Sequence, residues 1–129
     1  MRLLKVDFKQ SELGKILVDE QVFFVQLSHL LNELTILQKC VVFSANLMQS
    51  VRGAQRTVQT IQMLFLLRMM AGKLDEGWQM LSKSYFGAKI SQAYDDVLSK
   101  TAKNGLDELK RYFSKTNIIH EIRNKYAFH

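Results

Sequence analysis

The spacing of apolar residues predicts a chain built mostly of helices. The pattern is helical from about residue 19 to residue 47. One apolar set recurs every seven residues, Leu27, Leu34, Val41 and Met48, and Leu30 and Leu37 lie between its members. This seven-residue pattern is typical of a helix packed in a bundle. Further apolar side chains widen the surface beyond one seam: Leu31, Ile36, Val42 and Phe43. We therefore expect this helix to be central and to contact more than one neighbour.

A second long helix is predicted over residues 54–86. Its apolar residues keep three-and-four spacing through Gly72 and Gly77 without losing phase. Each glycine costs a helix up to about 1 kcal/mol relative to alanine, so we expect close packing or a bend there. Residues 44–57 separate the two long helices, and Ser50 and Gly53 mark this break.

Shorter elements are predicted on either side of the long pair. Residues 1–18 are expected to form a small N-terminal element, with Ser11 capping a helix over residues 12–17. After a stop at Gly87, helices are predicted over 88–100 and 106–113, separated by a break at Asn104-Gly105. Thr116 or Asn117 can cap a last helix that begins at Ile118. The prediction is one all-α domain over residues 1–129: two long antiparallel helices and about three shorter ones.

The composition agrees with an all-α domain, and the net charge indicates which kind of partner is favoured. The chain has 129 residues, no proline and six glycines, which suits one helical domain with short connections. Eighteen basic against twelve acidic residues give a net charge of +6, which favours an anionic partner without identifying one. Cys40 is the single cysteine, so no disulfide within the chain and no cysteine-based zinc site are expected. No signal segment or membrane span is recognised, and we expect a cytoplasmic protein that has no membrane partner and needs no cofactor.

The last predicted helix concentrates the side chains that are able to do chemistry. It contains Arg123, the polar Asn124 directly after it, and His129 six positions after the arginine. On an ideal helix His129 falls on the apolar side, and Arg123 lies about 120° away around the axis. The two side chains would straddle a ridge, and two facing copies of that ridge would form one groove with two arginines and two histidines. The spacing therefore favours a symmetric dimer if it is functional.

An arginine, a polar residue and then a histidine near the end of an all-α domain resembles the HEPN ribonuclease motif. The resemblance covers most of the chain, because two long helices followed by shorter ones lead into the motif helix. It implies metal-independent RNA cleavage at a composite dimer site, in a protein that serves as a toxin or anti-phage effector restrained by an antitoxin. His129 would then be the general acid or base, Arg123 would bind the phosphate, and Asn124 would orient the substrate or the histidine. The family helix usually continues past its histidine, whereas this sequence stops at His129, so it departs from the family pattern there and leaves open whether the native chain continues.

Other residues are candidates for RNA contacts or for packing. Lys125 and Tyr126 lie beside the motif, and Tyr126 also fits the packing side of the helix. His120, one turn before Arg123, competes with His129 for the same role. Arg68 and Asp75 are seven residues apart and nearly in line on the second long helix, either as a partly buried ion pair or as a polar pair lining a cleft.

The alternative function is a non-catalytic helical module for dimerisation or protein interaction. Under that hypothesis His129 packs, and Arg123 pairs with an acid such as Glu121 or Asp75.

Overall fold

A computed structural model describes residues 9–127 of the chain, with side chains up to Lys125. Within that range the chain forms six α-helices and no strand, which confirms the all-α prediction. The helices are α1 (Gln10–Leu13), α2 (Val18–Ser50), α3 (Ala54–Ser84), α4 (Lys89–Tyr94), α5 (Lys100–Phe113) and α6 (Ile118–Ile122), and α6 leads directly into a π-helical turn (Arg123–Ala127). The predictions for residues 1–8 and for His129 fall outside the described residues.

The α2 and α3 helices pack against each other along their lengths. Contacts join Glu33 to Lys73 near the middle of the pair and Met48 to Thr60 near its tip. The buried positions of α2 recur every seven residues: Phe23, Leu30, Leu37 and Ser44. The predicted main seam, Leu27, Leu34, Val41 and Met48, is only half-buried. The seven-residue period was therefore predicted correctly, but the face of α2 that is most deeply buried is the neighbouring one.

Gly77 allows the closest approach of the two long helices. A Cβ atom built on Gly77 would lie 2.6 Å from Cδ2 of Leu30, far inside the ordinary contact distance of carbon atoms. Both Gly77 and Leu30 are buried. The glycine that costs α3 helical stability thus permits tight packing, as predicted from its place in the apolar stripe.

The connection between α2 and α3 is shorter than predicted. The α2 helix continues through Ser44 to Ser50, and α3 begins at Ala54, so the break spans only Val51, Arg52 and Gly53. Gly53 has a φ of 59°, a backbone conformation that favours glycine. The loop was predicted to begin at Ser44 because of the polar residues there, but Ser44 is buried within α2 rather than exposed in a loop.

The densest core lies where α2 begins and α3 ends. Phe23 and Tyr85 stack with ring centroids 5.5 Å apart, and Ile90 of α4 completes this buried cluster. Trp78 of α3 stacks on Phe113 at 5.0 Å, nearly parallel, and so attaches α5 to the long pair. Aromatic pairs of this kind contribute roughly 0.5–1.5 kcal/mol beyond their buried area.

The shorter helices differ in their bounds from the prediction. The α5 helix runs straight through Asn104-Gly105, so the predicted break there is wrong. Leu106 packs against the core cluster and Phe113 stacks on Trp78, and these contacts outweigh the local cost of one glycine. The α4 helix is confined to six residues, and Gly87, with a φ of 75°, confirms the predicted stop after Phe86. The α1 helix starts after Lys9, so Ser11 is not its cap.

Much of the apolar surface of α2 and α3 remains uncovered within the described chain. The side chains expected to meet a second neighbour of α2 are more than half exposed: Leu31, Ile36, Val42 and Phe43. On α3, Ile61 and Phe65 are exposed to about the same degree. The expectation that α2 contacts several neighbours is therefore not met along these positions. No helix in residues 9–127 is long and apolar enough to cross a membrane.

Candidate functional site

The candidate site is built around the buried carboxylate of Asp75 in the middle of α3. Its side chain is 3% exposed, and Gln79, one turn later, donates a hydrogen bond of 2.7 Å from Nε2 to Oδ2. A buried carboxylate costs several kcal/mol of desolvation unless charged or hydrogen-bonding groups compensate it. Asp75 therefore requires partners, and two of them come from the end of the chain.

Asn117 sets the position of the first of these partners. It is buried, its Oδ1 accepts a hydrogen bond from the backbone N–H of His120 at 2.9 Å, and it thereby caps α6. Its Nδ2 donates to the carbonyl of Lys115 at 3.0 Å, which fixes the cap itself. The α6 helix consequently starts in the predicted register, and Nδ1 of His120 lies 3.3 Å from Oδ1 of Asp75.

The second partner is Arg123 at the start of the π-helical turn. Its Nε lies 3.3 Å from Oδ2 of Asp75, while its side chain remains 43% exposed. Its Nη1 donates to Oδ1 of Asn124 at 3.3 Å. Over residues 123–127 the π-helical turn replaces the ideal α-helix assumed in the prediction, and such turns are frequent at functional sites.

Asn124 also contacts His120. Its Nδ2 lies 2.8 Å from Nε2 of the imidazole, whose side chain is 53% exposed. Asp75, His120, Asn124 and Arg123 thus form a closed sequence of contacts, which we call the four-residue network. Its inner side is the buried carboxylate, and its outer side presents guanidinium, amide and imidazole groups at the surface.

The structure brings together only some of the predicted site residues. Arg123, Asn124 and His120 are adjacent, and Lys125 follows them with an exposed side chain. Arg68 is exposed on α3 two turns before Asp75, and Asp75 pairs with Arg123 and His120 instead. His129 and the side chain of Tyr126 lie outside what the structure describes. The pairing of Arg123 with Asp75 is the one expected under the non-catalytic hypothesis.

Gln79 was missed as part of the site, and Asp75 was predicted only as a partner of Arg68 or, under the non-catalytic hypothesis, of Arg123. The available signal was a carboxylate placed within the apolar pattern of α3, between Leu74 and Trp78. Buried acids are rare unless they are paired, so such a position calls for a cationic or hydrogen-bonding partner. The sequence does not reveal which cation that is.

A cleft of about 670 Å³ lies beside the four-residue network. Its lining includes the polar Arg123, Asp75 and Gln79 and the apolar Ile36 and Met69. At its rim, Lys73 bridges Glu33 and Glu76 at 3.0 and 2.9 Å. The hydrogen bond from Lys73 lowers the pKa of Glu33, and those carboxylates, Glu76 foremost, raise the pKa of Lys73.

A larger cavity, of about 1180 Å³, contains none of the four network residues. Its walls are mainly aromatic and aliphatic side chains of α2, α3 and α5, with Glu108, Arg111 and Lys115 among the charged lining groups. It therefore offers apolar volume rather than the convergent polar groups that chemistry on a substrate needs.

Metal-binding groups and similar proteins were also sought as indications of function. Among residues 9–127, no three His, Cys, Asp or Glu side chains are grouped so as to hold a metal ion. Comparisons of the chain with protein-family models, with curated proteins and with solved structures find no match.

Proposed function

We propose that the chain is a HEPN-like, metal-independent endoribonuclease that acts as a homodimer. In this proposal α2 and α3 are the long antiparallel pair of that fold, Arg123 binds the scissile phosphate, Asn124 orients the substrate, and His129 transfers the proton. The toxin or anti-phage role and the antitoxin partner belong to the proposal through the resemblance alone.

One observation carries the proposal: Arg123 is anchored through Nε, and its side chain is still 43% exposed. An arginine whose orientation is fixed from behind is suited to bind a phosphate with its remaining N–H groups, because less side-chain entropy is lost on binding. Asn124 is held against the same guanidinium, so the first two motif residues act from one place.

The exposed apolar surface supports the homodimer. Ile36 and Met69 line the same cleft as Arg123, and Phe65 lies one turn before Met69 on α3. Ile36 and Phe65 are each 60% exposed. A second copy seated on this face would bury apolar area and bring its own motif helix close to Arg123.

The test is cleavage of mixed RNA by the purified protein in the presence of EDTA. We expect cleavage by the wild type and its loss in Arg123→Ala and in His129→Ala, because the first removes phosphate binding and the second removes the acid–base group. Matched controls are Arg56→Ala and His29→Ala, which remove an exposed arginine and an exposed histidine elsewhere. Circular dichroism verifies the fold of each variant.

Two results would contradict the proposal. The first is cleavage at full strength by the Arg123→Ala, His129→Ala double variant. The second is a strict monomer at micromolar concentration, measured by light scattering, because the proposed site needs two copies. If the dimer is seated as proposed, Phe65→Glu lowers the mass to that of a monomer, whereas Val97→Glu, at another exposed position, leaves it unchanged.

The second candidate is a non-catalytic helical module for dimerisation or protein interaction. The ion pair between Arg123 and Asp75 favours it, because a paired arginine can serve stability alone. This candidate predicts a dimer without RNA cleavage, and it predicts that Arg123→Ala lowers the free energy of unfolding. The same RNA assay therefore separates the two functions.

A further inference from the structure

The four-residue network has only one consistent arrangement of hydrogen bonds. Arginine can only donate, and an ionised carboxylate can only accept. Arg123 therefore donates from Nη1 to Oδ1 of Asn124, which leaves the amide nitrogen of Asn124 facing Nε2 of His120 at 2.8 Å. That amide nitrogen can only donate, so Nε2 must accept. Nδ1 must then carry the proton that faces Oδ1 of Asp75 at 3.3 Å.

The network thus specifies one tautomer of His120, the neutral form with its proton on Nδ1. An isolated imidazole in water favours the opposite tautomer, with its proton on Nε2. A proton on Nε2 would place two donors against each other at the Asn124 contact. Rotating the amide of Asn124 would relieve that clash but would turn its nitrogen toward Nη1 of Arg123, where again only donors meet.

We propose that Asp75 and His120 are positioning residues that act through Arg123 and Asn124. Asp75 holds Arg123 directly through Nε and holds Asn124 indirectly through His120. In this tautomer Nε2 is the only nitrogen of His120 that can accept a hydrogen bond, and Asn124 occupies it. His120 therefore positions Asn124. The catalytic consequence rests on the proposed RNA cleavage, whereas the tautomer of His120 does not.

The first experiment measures the tautomer without RNA. Long-range proton–nitrogen NMR spectra of protein labelled with ¹⁵N-histidine distinguish the two nitrogens of each imidazole. We expect the Nδ1–H form for His120, assigned by its absence in His120→Gln. His29, whose Nε2 faces Glu33, is the internal reference for the Nε2–H form. An Nε2–H tautomer at His120 in the wild type would overturn the proposal, whether or not the protein cleaves RNA.

Variants at Asp75, Gln79 and Asn124 test how the tautomer of His120 depends on each contact. Asp75→Leu removes both the acceptor that faces Nδ1 and the charge that holds Arg123, so His120 should return toward the Nε2–H tautomer that water favours. Asp96→Leu, the same change at an exposed position, should leave the tautomer unchanged. Gln79→Ala removes one hydrogen bond to Asp75 without touching His120, so the Nδ1–H form should persist. If Asp75→Leu does not fold, Asn124→Ala should still shift the tautomer by removing the donor to Nε2. An unchanged tautomer in every folded variant would refute the network.

The kinetic readout separates positioning from substrate binding. We expect Asp75→Asn to lower kcat for RNA cleavage between about tenfold and about 100-fold, with KM changed much less, because misplacement of catalytic groups acts mainly on the transition state. A rise in KM with kcat unchanged would contradict the positioning role. If the wild type cleaves no RNA, the proposed function fails, and the tautomer of His120 decides the network by itself.

Discussion

Replacing Gly77 by alanine tests the closest contact between α2 and α3. Alanine favours a helix interior over glycine by about 1 kcal/mol, which by itself would stabilise α3. At this position, however, the new Cβ would lie 2.6 Å from Cδ2 of Leu30, roughly 1 Å closer than carbon atoms pack at their optimum. Cδ2 is at the end of the buried Leu30 side chain, so relieving this contact requires that side chain to move against its neighbours.

The net effect follows from the two opposing contributions. Overpacking in a core costs about 1–3 kcal/mol, so Gly77→Ala should change the free energy of unfolding by between about 0 and −2 kcal/mol after the gain in helix propensity. Gly105 provides the matched control: it lies inside α5, and a Cβ there would meet nothing within 4 Å. Gly105→Ala should therefore stabilise the protein by about 0.5–1 kcal/mol.

Urea unfolding followed by far-ultraviolet circular dichroism gives both values. The midpoint of Gly77→Ala should fall below that of Gly105→Ala, while the slopes remain equal. In a Leu30→Ala background, which makes room, Gly77→Ala should lose most of its cost, and the double-mutant cycle should show a coupling of about 1–3 kcal/mol. Equal stabilisation by the two glycine variants would refute the close approach of α2 and α3 at Gly77.

Three further changes probe other parts of the chain. Burial, together with the hydrogen bond to Asp95, raises the pKa of Tyr85 to about 12 in the folded protein. Because the unfolded chain loses this proton at lower pH, the free energy of unfolding falls as pH rises from about 10 to about 12. Tyr85→Phe should weaken that pH dependence in urea titrations, and an identical slope would contradict it. Ser44 is buried, and its hydroxyl has no hydrogen-bond partner among the described residues, so Ser44→Ala should raise the free energy of unfolding by up to about 1 kcal/mol. Asn117→Ala should cost about 1 kcal/mol and also shift the NMR signals of His120, whereas Ser99→Ala, at the cap of α5, should cost a similar amount and leave them unchanged.

The sequence by itself determined most of the helices. Apolar periodicity predicted α2 and α3 despite two glycines in α3, and Asn117, as a capping residue, indicated the start of α6. These features depend on neighbours within one or two turns, so they can be inferred from local spacing. The same spacing could not decide that Ser44 is buried, because a serine at a helix interface and a serine in a loop look alike without the opposing helix.

The candidate site divides in the same way. Arg123 and Asn124 were recognised from their adjacency, because the motif lies within one turn of chain. The carboxylate that orients them is 48 residues away in sequence from Arg123, and it reaches them only because α6 and the π-helical turn pack on α3. Because a buried carboxylate must be compensated for its lost hydration, Asp75 needed a partner. Only tertiary packing decided that its partners are Arg123 and His120.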